Sequence, residues 1–105
     1  MKFSGKCIIV TGAGQGIGAA IAMAFAAEGA NVVLADINSA TTNQVVREIV
    51  KNGGKAIFSN TNSGRWDQVQ KMVNSTVKSF GGVDVLVNNA AIQLRNSILE
   101  IDPKE

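Results

Sequence analysis

The stretch "TGAGQGIGAA", residues 11–20, places glycine at every second position: Gly12, Gly14, Gly16 and Gly18. It runs into an Ala-rich segment of helical pattern with no acidic residue before Glu28. A helix N-terminus presents unpaired N–H groups and about half a positive charge, so ordinary helices put Asp or Glu in the first turn. Here that place is open to an external anion, and glycine on the approach lets a phosphate come close to the backbone. The G-x-G-x-x-G spacing would need glycine at position 17, where the chain has Ile17. A silk-like repeat or a purely structural turn also alternates small residues, but this alternation is short and ends in a helix.

A second candidate stands in "VVLADIN", where Asp36 follows Gly18 by eighteen residues. A carboxylate at such a strand end can accept hydrogen bonds from both hydroxyls of an adenosine ribose, and it repels a 2′-phosphate. No Arg or Lys occupies positions 13–15 or 37, where a phosphorylated ribose would find a cation. The pair of features favours NAD over NADP. A third polar cluster, "NNAA" at 88–91, follows another apolar run. The chain has no His, no Tyr and one cysteine, Cys7, so no metal cluster and no internal disulfide are expected, and a reducing, cytoplasmic setting fits.

These residues need elements to hold them. Short β-branched runs recur as "CIIVT" from Cys7, "NVVLAD" from Asn31, "KAIFS" from Lys55 and "DVLVN" from Asp84. Near-continuous apolar runs of this length, separated by helical patterns, read as strands of a parallel sheet buried on both faces. The first intervening helix, residues 16–28, carries Ile17, Ile21, Phe25 and Glu28 on one face, has many alanines that permit close approach to the sheet, and stops at Gly29. The second, about 39–52, begins with Ser/Thr capping chemistry, places Val45, Val46, Ile49 and Val50 together and stops at Gly53-Gly54. The third, about 64–80, aligns Trp66, Val69, Val73, Val77 and Phe80 before Gly81-Gly82. Under the right-handed crossover rule this is a doubly wound α/β sheet, a single incomplete domain over residues 1–105, and if the Rossmann order applies its strands lie 3-2-1-4. Its switch point lies between strands 1 and 4, beside "TGAGQGIG" and "NNAA".

Composition removes other classes. The chain is 46% hydrophobic with a formal charge of +2, and its ten basic residues are scattered rather than blocked, which argues against a nucleic-acid partner. The longest run without charge, residues 7–27, is interrupted by four glycines, Thr11 and Gln15, which argues against a membrane span. The N-terminus lacks the apolar region and small-residue cleavage site of a signal peptide.

Taken together, "TGAGQGIG" resembles the T-G-x-x-x-G-x-G motif of the classical short-chain dehydrogenase/reductase family, with Gly12, Gly16 and Gly18 as its glycines, Ile17 ordinary and Gly14 surplus. "NNAA" is similar to the family's N-N-A-G, with Ala91 in the place of glycine. The resemblance covers the coenzyme-binding part of the family's domain. It implies that Gly12, Gly16, Ile17 and Gly18 wrap the pyrophosphate, that Asp36 holds the adenosine ribose, that Asn88 and Ala90 line the coenzyme cleft, and that the Asn pair steadies the central strands. The family's Asp-Val pair at the adenine pocket falls on Asn62-Ser63, so Asn62 is expected to meet the adenine amino group through its carbonyl, without charge assistance and more weakly.

The resemblance also implies a catalytic Tyr, a Lys four residues later, a Ser and a further Asn, all beyond the N-N-A-G region; none is assignable in these 105 residues, and Ser97 is misplaced for the Ser. It implies NAD(H), a small alcohol or carbonyl substrate and homo-oligomers for the whole family domain. Three readings stay open: part of an NAD(P)-dependent oxidoreductase; a short dinucleotide-binding module or remnant without catalysis; and a nucleotide-binding domain such as a methyltransferase, against which "NNAA" argues. Without a fifth strand, "VDVLVNN" is expected to be an exposed sheet edge that promotes self-association.

Overall fold

The computed structural model describes residues 2–89. Its elements are β1 (Cys7–Thr11), α1 (Gly16–Ala27), β2 (Asn31–Asp36), α2 (Ser39–Lys51), β3 (Lys55–Asn60), α3 (Trp66–Phe80) and β4 (Val85–Val87). The sheet is parallel with order β3-β2-β1-β4, as the sequence predicts, and the fold is Rossmann-like. Cys7 pairs with Asn31, Ile8 with Val85, and Asp36 with Asn60, so the strands run in step and their C-terminal ends lie at one rim.

Alternation along the two central strands divides the core. Ile8, Val10, Val32 and Leu34 face α1 and α2, meeting Ala22, Ala26 and Ile49. Cys7, Ile9, Val33 and Ala35 face α3, meeting Met72, with Val69, Val73, Phe80 and Val83 packed around them. The period of two in a strand requires this division, and each large aliphatic side chain so buried contributes about 1.5–3 kcal/mol. The expectation of burial on both faces holds for β1 and β2 alone. Ile57 of β3 is 41% exposed and Leu86 of β4 49%, because these strands are outermost among the described residues.

The helices correct the sequence reading in three places. In α1 the residues against the sheet are Gly18, Ala19, Ala22 and Ala26, while Ile17 is exposed and Ile21 and Phe25 are only partly buried. Small side chains let the helix axis approach the sheet, and the bulky ones flank that seam; Phe25 packs edge-to-face on Phe3 with centroids 5.0 Å apart. In α2 the cap is Asn38, whose side chain accepts the Thr41 N–H at 3.1 Å; Thr42 is buried and Val50 turns outward. In α3 Trp66 is the first helical residue and stays 75% exposed, and Val77 is exposed as well, so of the expected stripe only Val69, Val73 and Phe80 pack on the sheet. Gly81 ends α3 at φ 84°, where its N–H donates to the Val77 carbonyl at 2.8 Å, a left-handed cap that glycine adopts without strain. Among the described residues, no helix is long and apolar enough to cross a membrane.

Candidate dinucleotide-binding site

At the C-terminal rim, β1 passes through Gly12–Gln15 into α1. Gln15 caps that helix in extended backbone with no side-chain hydrogen bond, and the first turn holds no acidic residue. The helix terminus is therefore left electropositive by the chain itself. Gly12 and Gly16 have φ of 60° and 61°, which directs the turn outward and suits glycine. Ile17 is 63% exposed on the first turn, and Gly18 is buried beneath it.

A Cβ at Gly18 would fall on the Gly12 carbonyl and lie 2.9 Å from Asn89 Nδ2. Absence of a side chain there is what lets α1 begin so close to the end of β1. Asn89 completes this junction: it is fully buried, and its Nδ2 donates to the Gly12 carbonyl at 3.2 Å. Beside it, the Thr11 hydroxyl donates to Asn88 Oδ1 at 3.1 Å, joining the ends of β1 and β4. Asn88 is exposed at the rim. The structure thus separates the Asn pair: Asn88 bridges the strands, and Asn89, which the sequence reading assigned no individual role, anchors the loop. Ala90, Ala91, Ser97 and Pro103 lie outside the described residues.

Asp36 ends β2 across from this loop. Its Oδ2 accepts the Gly14 N–H at 2.8 Å and its Oδ1 accepts the Asn38 N–H at 3.0 Å. Gly14 is not surplus. It is buried, like Ala13 before it, and a Cβ there would stand 2.7 Å from Thr42 Oγ1 and 2.8 Å from both Asp36 Oδ2 and Thr41 Oγ1. Spacing along one strand of sequence carries no signal for a contact made across β2 and α2.

A cavity of about 240 Å³ lies between these parts, lined by Gly12, Gln15, Asp36, Ile37, Thr61, Asn62 and Ser63. The glycine loop, the Asp36 carboxylate and Asn62 therefore share one opening. Asn62 Oδ1 accepts the Gly64 N–H at 2.9 Å, and its own N–H donates to Gln68 Oε1 at 2.8 Å. That carbonyl keeps one acceptor position for an adenine amino group. Thr61, whose N–H donates to the Asp36 carbonyl at 3.1 Å, forms the floor and was not anticipated. A wider groove of about 690 Å³ shares Thr61 and continues along β3 and α3 past Asp67, Gln68 and Lys71. Among the described residues no group of His, Cys, Asp or Glu could hold a metal ion. Burial, with the Asp84 carboxylate nearby, pushes the Cys7 thiol up, away from nucleophilic chemistry.

An electropositive helix end, the Asp36 carboxylate and the Asn62 amide thus lie along one rim. The family described as short chain dehydrogenase matches residues 6–105. The 7alpha-hydroxysteroid dehydrogenase of Escherichia coli K12 is 42% identical over 90 residues, which are 86% of this chain and 35% of that protein. Among solved structures, a hydroxysteroid dehydrogenase from Escherichia coli superposes with a TM-score of 0.79 at 42% identity, covering 82% of this chain and 37% of that one. A metagenomic short-chain oxidoreductase in complex with NADP has a TM-score of 0.79 at 36% identity, covering 82% and 39%. The chain thus spans somewhat over a third of the length of these relatives. The matched stretch contains the glycine loop, Asp36 and both Asn residues, and on that evidence the chain belongs to the short-chain dehydrogenase family.

Proposed function

We propose that this chain forms the coenzyme-binding part of a short-chain oxidoreductase that transfers hydride between a nicotinamide dinucleotide and a small alcohol or ketone, with NAD preferred over NADP. The observation that carries the reading is the shared cavity: an acid-free helix N-terminus and the Asp36 carboxylate open onto the same space. Gly12, Gly16, Ile17 and Gly18 would receive the pyrophosphate, Asp36 the adenosine ribose, Asn62 the adenine, and Asn88 with Ala90 the nicotinamide side of the cleft. When bound, the dinucleotide supplies the hydride chemistry. The chain's own part is to orient it: backbone N–H groups face the phosphate, and the carboxylate accepts from the ribose hydroxyls.

The preference for NAD rests on charge. A 2′-phosphate would stand against the Asp36 carboxylate, and no Arg or Lys occupies positions 13–15 or 37 to offset the repulsion. The NADP complex of the metagenomic relative supports the wider class of nicotinamide dinucleotide. The family resemblance implies a catalytic Tyr with a Lys four residues later, and these 105 residues contain no Tyr. This chain by itself is therefore expected to bind without turnover.

Titration of the chain with NADH and NADPH, followed by nucleotide fluorescence, tests the reading. NADH is expected to bind at least about tenfold more tightly, the factor that corresponds to one charge-assisted hydrogen bond of about 1.5 kcal/mol. Asp36→Ala is expected to remove the difference. Equal or tighter binding of NADPH overturns the preference, and binding of neither overturns the function.

A further inference from the structure

Asp36 is not a side chain left to find the ribose for itself. Both of its oxygens are already held by main-chain donors, Oδ1 by Asn38 at 3.0 Å within the same turn and Oδ2 by Gly14 at 2.8 Å from the phosphate loop. Two N–H groups on the two oxygens fix the carboxylate's direction and plane. A carboxylate offers about four lone-pair sites, so each oxygen retains capacity for a hydroxyl of a 1,2-diol. The bond from Gly14 is the one that links the loop to the end of β2 through this side chain.

We propose that Gly14 is a positioning residue for coenzyme selection, acting through Asp36; the assignment rests on the NAD reading above. Two properties of glycine serve it. The N–H pins Oδ2, and the missing Cβ leaves the carboxylate its room: a methyl group at 14 would lie 2.8 Å from Asp36 Oδ2, with Thr41 Oγ1 at 2.8 Å and Thr42 Oγ1 at 2.7 Å closing the other sides. Thr42 cannot give way freely, because its hydroxyl donates to the Asn38 carbonyl at 2.6 Å. The contact that bears on the coenzyme is the one with Asp36 Oδ2: pushed by the methyl group, that side chain would swing off the loop and lose its aim at the ribose. A side chain at 14 therefore loosens discrimination between a ribose diol and a 2′-phosphorylated ribose, without removing any group that touches the ligand.

The test is a double-mutant cycle on the chain, with NADH and NADPH each titrated into wild type, Gly14→Ala, Asp36→Ala and the double variant. Gly14→Ala is expected to weaken NADH about tenfold while NADPH holds or tightens, and to change NADH affinity less than about twofold once Asp36 is already Ala. A purely structural effect would weaken both nucleotides alike, and that result, or additive losses in the double variant, overturns the role of Gly14 while leaving the NAD preference standing. A wild type that prefers NADPH, or binds neither, overturns the coenzyme reading and this assignment with it. Amide exchange at Gly14 keeps the question open to refutation should Gly14→Ala not fold. It is expected to be slow in wild type and at least about tenfold faster in Asp36→Ala, with Ala13 unchanged. A Gly14 amide that exchanges in wild type as fast as that of Gln15 also overturns the assignment.

Discussion

Asn89 has no solvent exposure, gives its Nδ2 to the Gly12 carbonyl and leaves Oδ1 without a partner among the described residues. A buried amide in that state stabilises only if its one bond holds something that would otherwise move, and here it holds the turn that precedes α1. Gly18 faces the same amide. Gly18→Ala would drive a methyl group onto the Gly12 carbonyl and against Asn89 Nδ2, and the clash is with backbone, which cannot rotate away. We expect a loss of about 2–3 kcal/mol, read as a lowered midpoint in urea unfolding. Gly64→Ala, whose nearest neighbour is an Asn62 oxygen 3.2 Å away at the surface, should cost clearly less, and equal losses would contradict the distinction. At this scale sequence and structure differ in what they could show. Gly12, Gly16, Gly18 and Asp36 were legible as candidates because the strand ends and helix start that carry them follow chain order. Gly14 and Asn89 were not, because each acts on a residue at least 22 positions away, Asp36 for Gly14 and Gly12 for Asn89.

The helices carry the next lesson. Bulky residues at spacings of three and four were legible as helices, yet the face of α1 against the sheet is its alanine face. Periodicity reports which residues share a face; packing distance decides which face is inward, and a close helix selects small side chains. For α2, the capping bond from the Asn38 side chain to the Thr41 N–H predicts a loss of about 1 kcal/mol in Asn38→Ala, measured by thermal or urea unfolding. NADH affinity should change little, because Asp36 is held by the Asn38 main chain rather than by that side chain. For α3, Met72 is 4% exposed and sits against Ile9, Val33 and Ala35 on a sheet face that no other described helix covers. Met72→Ala should cost about 2–5 kcal/mol, more than Val50→Ala at an exposed site of α2, and the reverse order would count against this placement of α3.

On the scale of the whole molecule, the sheet closes on itself at neither edge among the described residues. Leu86 on β4 and Ile57 on β3 are both substantially exposed, and outer strands with apolar side chains invite pairing. The 105-residue chain is therefore expected to sediment as larger species as its concentration rises, whereas a constant monomer mass across micromolar concentrations would refute that. Alkaline pH probes the interior. The Cys7 thiol is held above its ordinary value of 9.0 by burial and then by Asp84, whose carboxylate also accepts the Cys7 N–H at 2.8 Å. In the unfolded chain the thiol ionises at its ordinary value, so between the two values the unfolded state has lost a proton that the folded state keeps. Stability is then full below pH 9.0 and falls as pH rises beyond it. Urea midpoints should decline across that range for wild type and less steeply for Cys7→Ala, and a steeper decline in the variant would reverse the sign.

The amino-acid sequence by itself determined the strand and helix rhythm, the parallel sheet, the glycine loop and the acidic residue that follows it. These depend on local pattern and on the handedness of crossovers, which act along the chain. Only the tertiary structure decided that Asp36 is gripped by Gly14 and that Asn89 rather than Asn88 anchors the loop. Each of those is a contact between residues that the fold brings within a few ångströms, where excluded volume and the pairing of buried polar groups choose the partner.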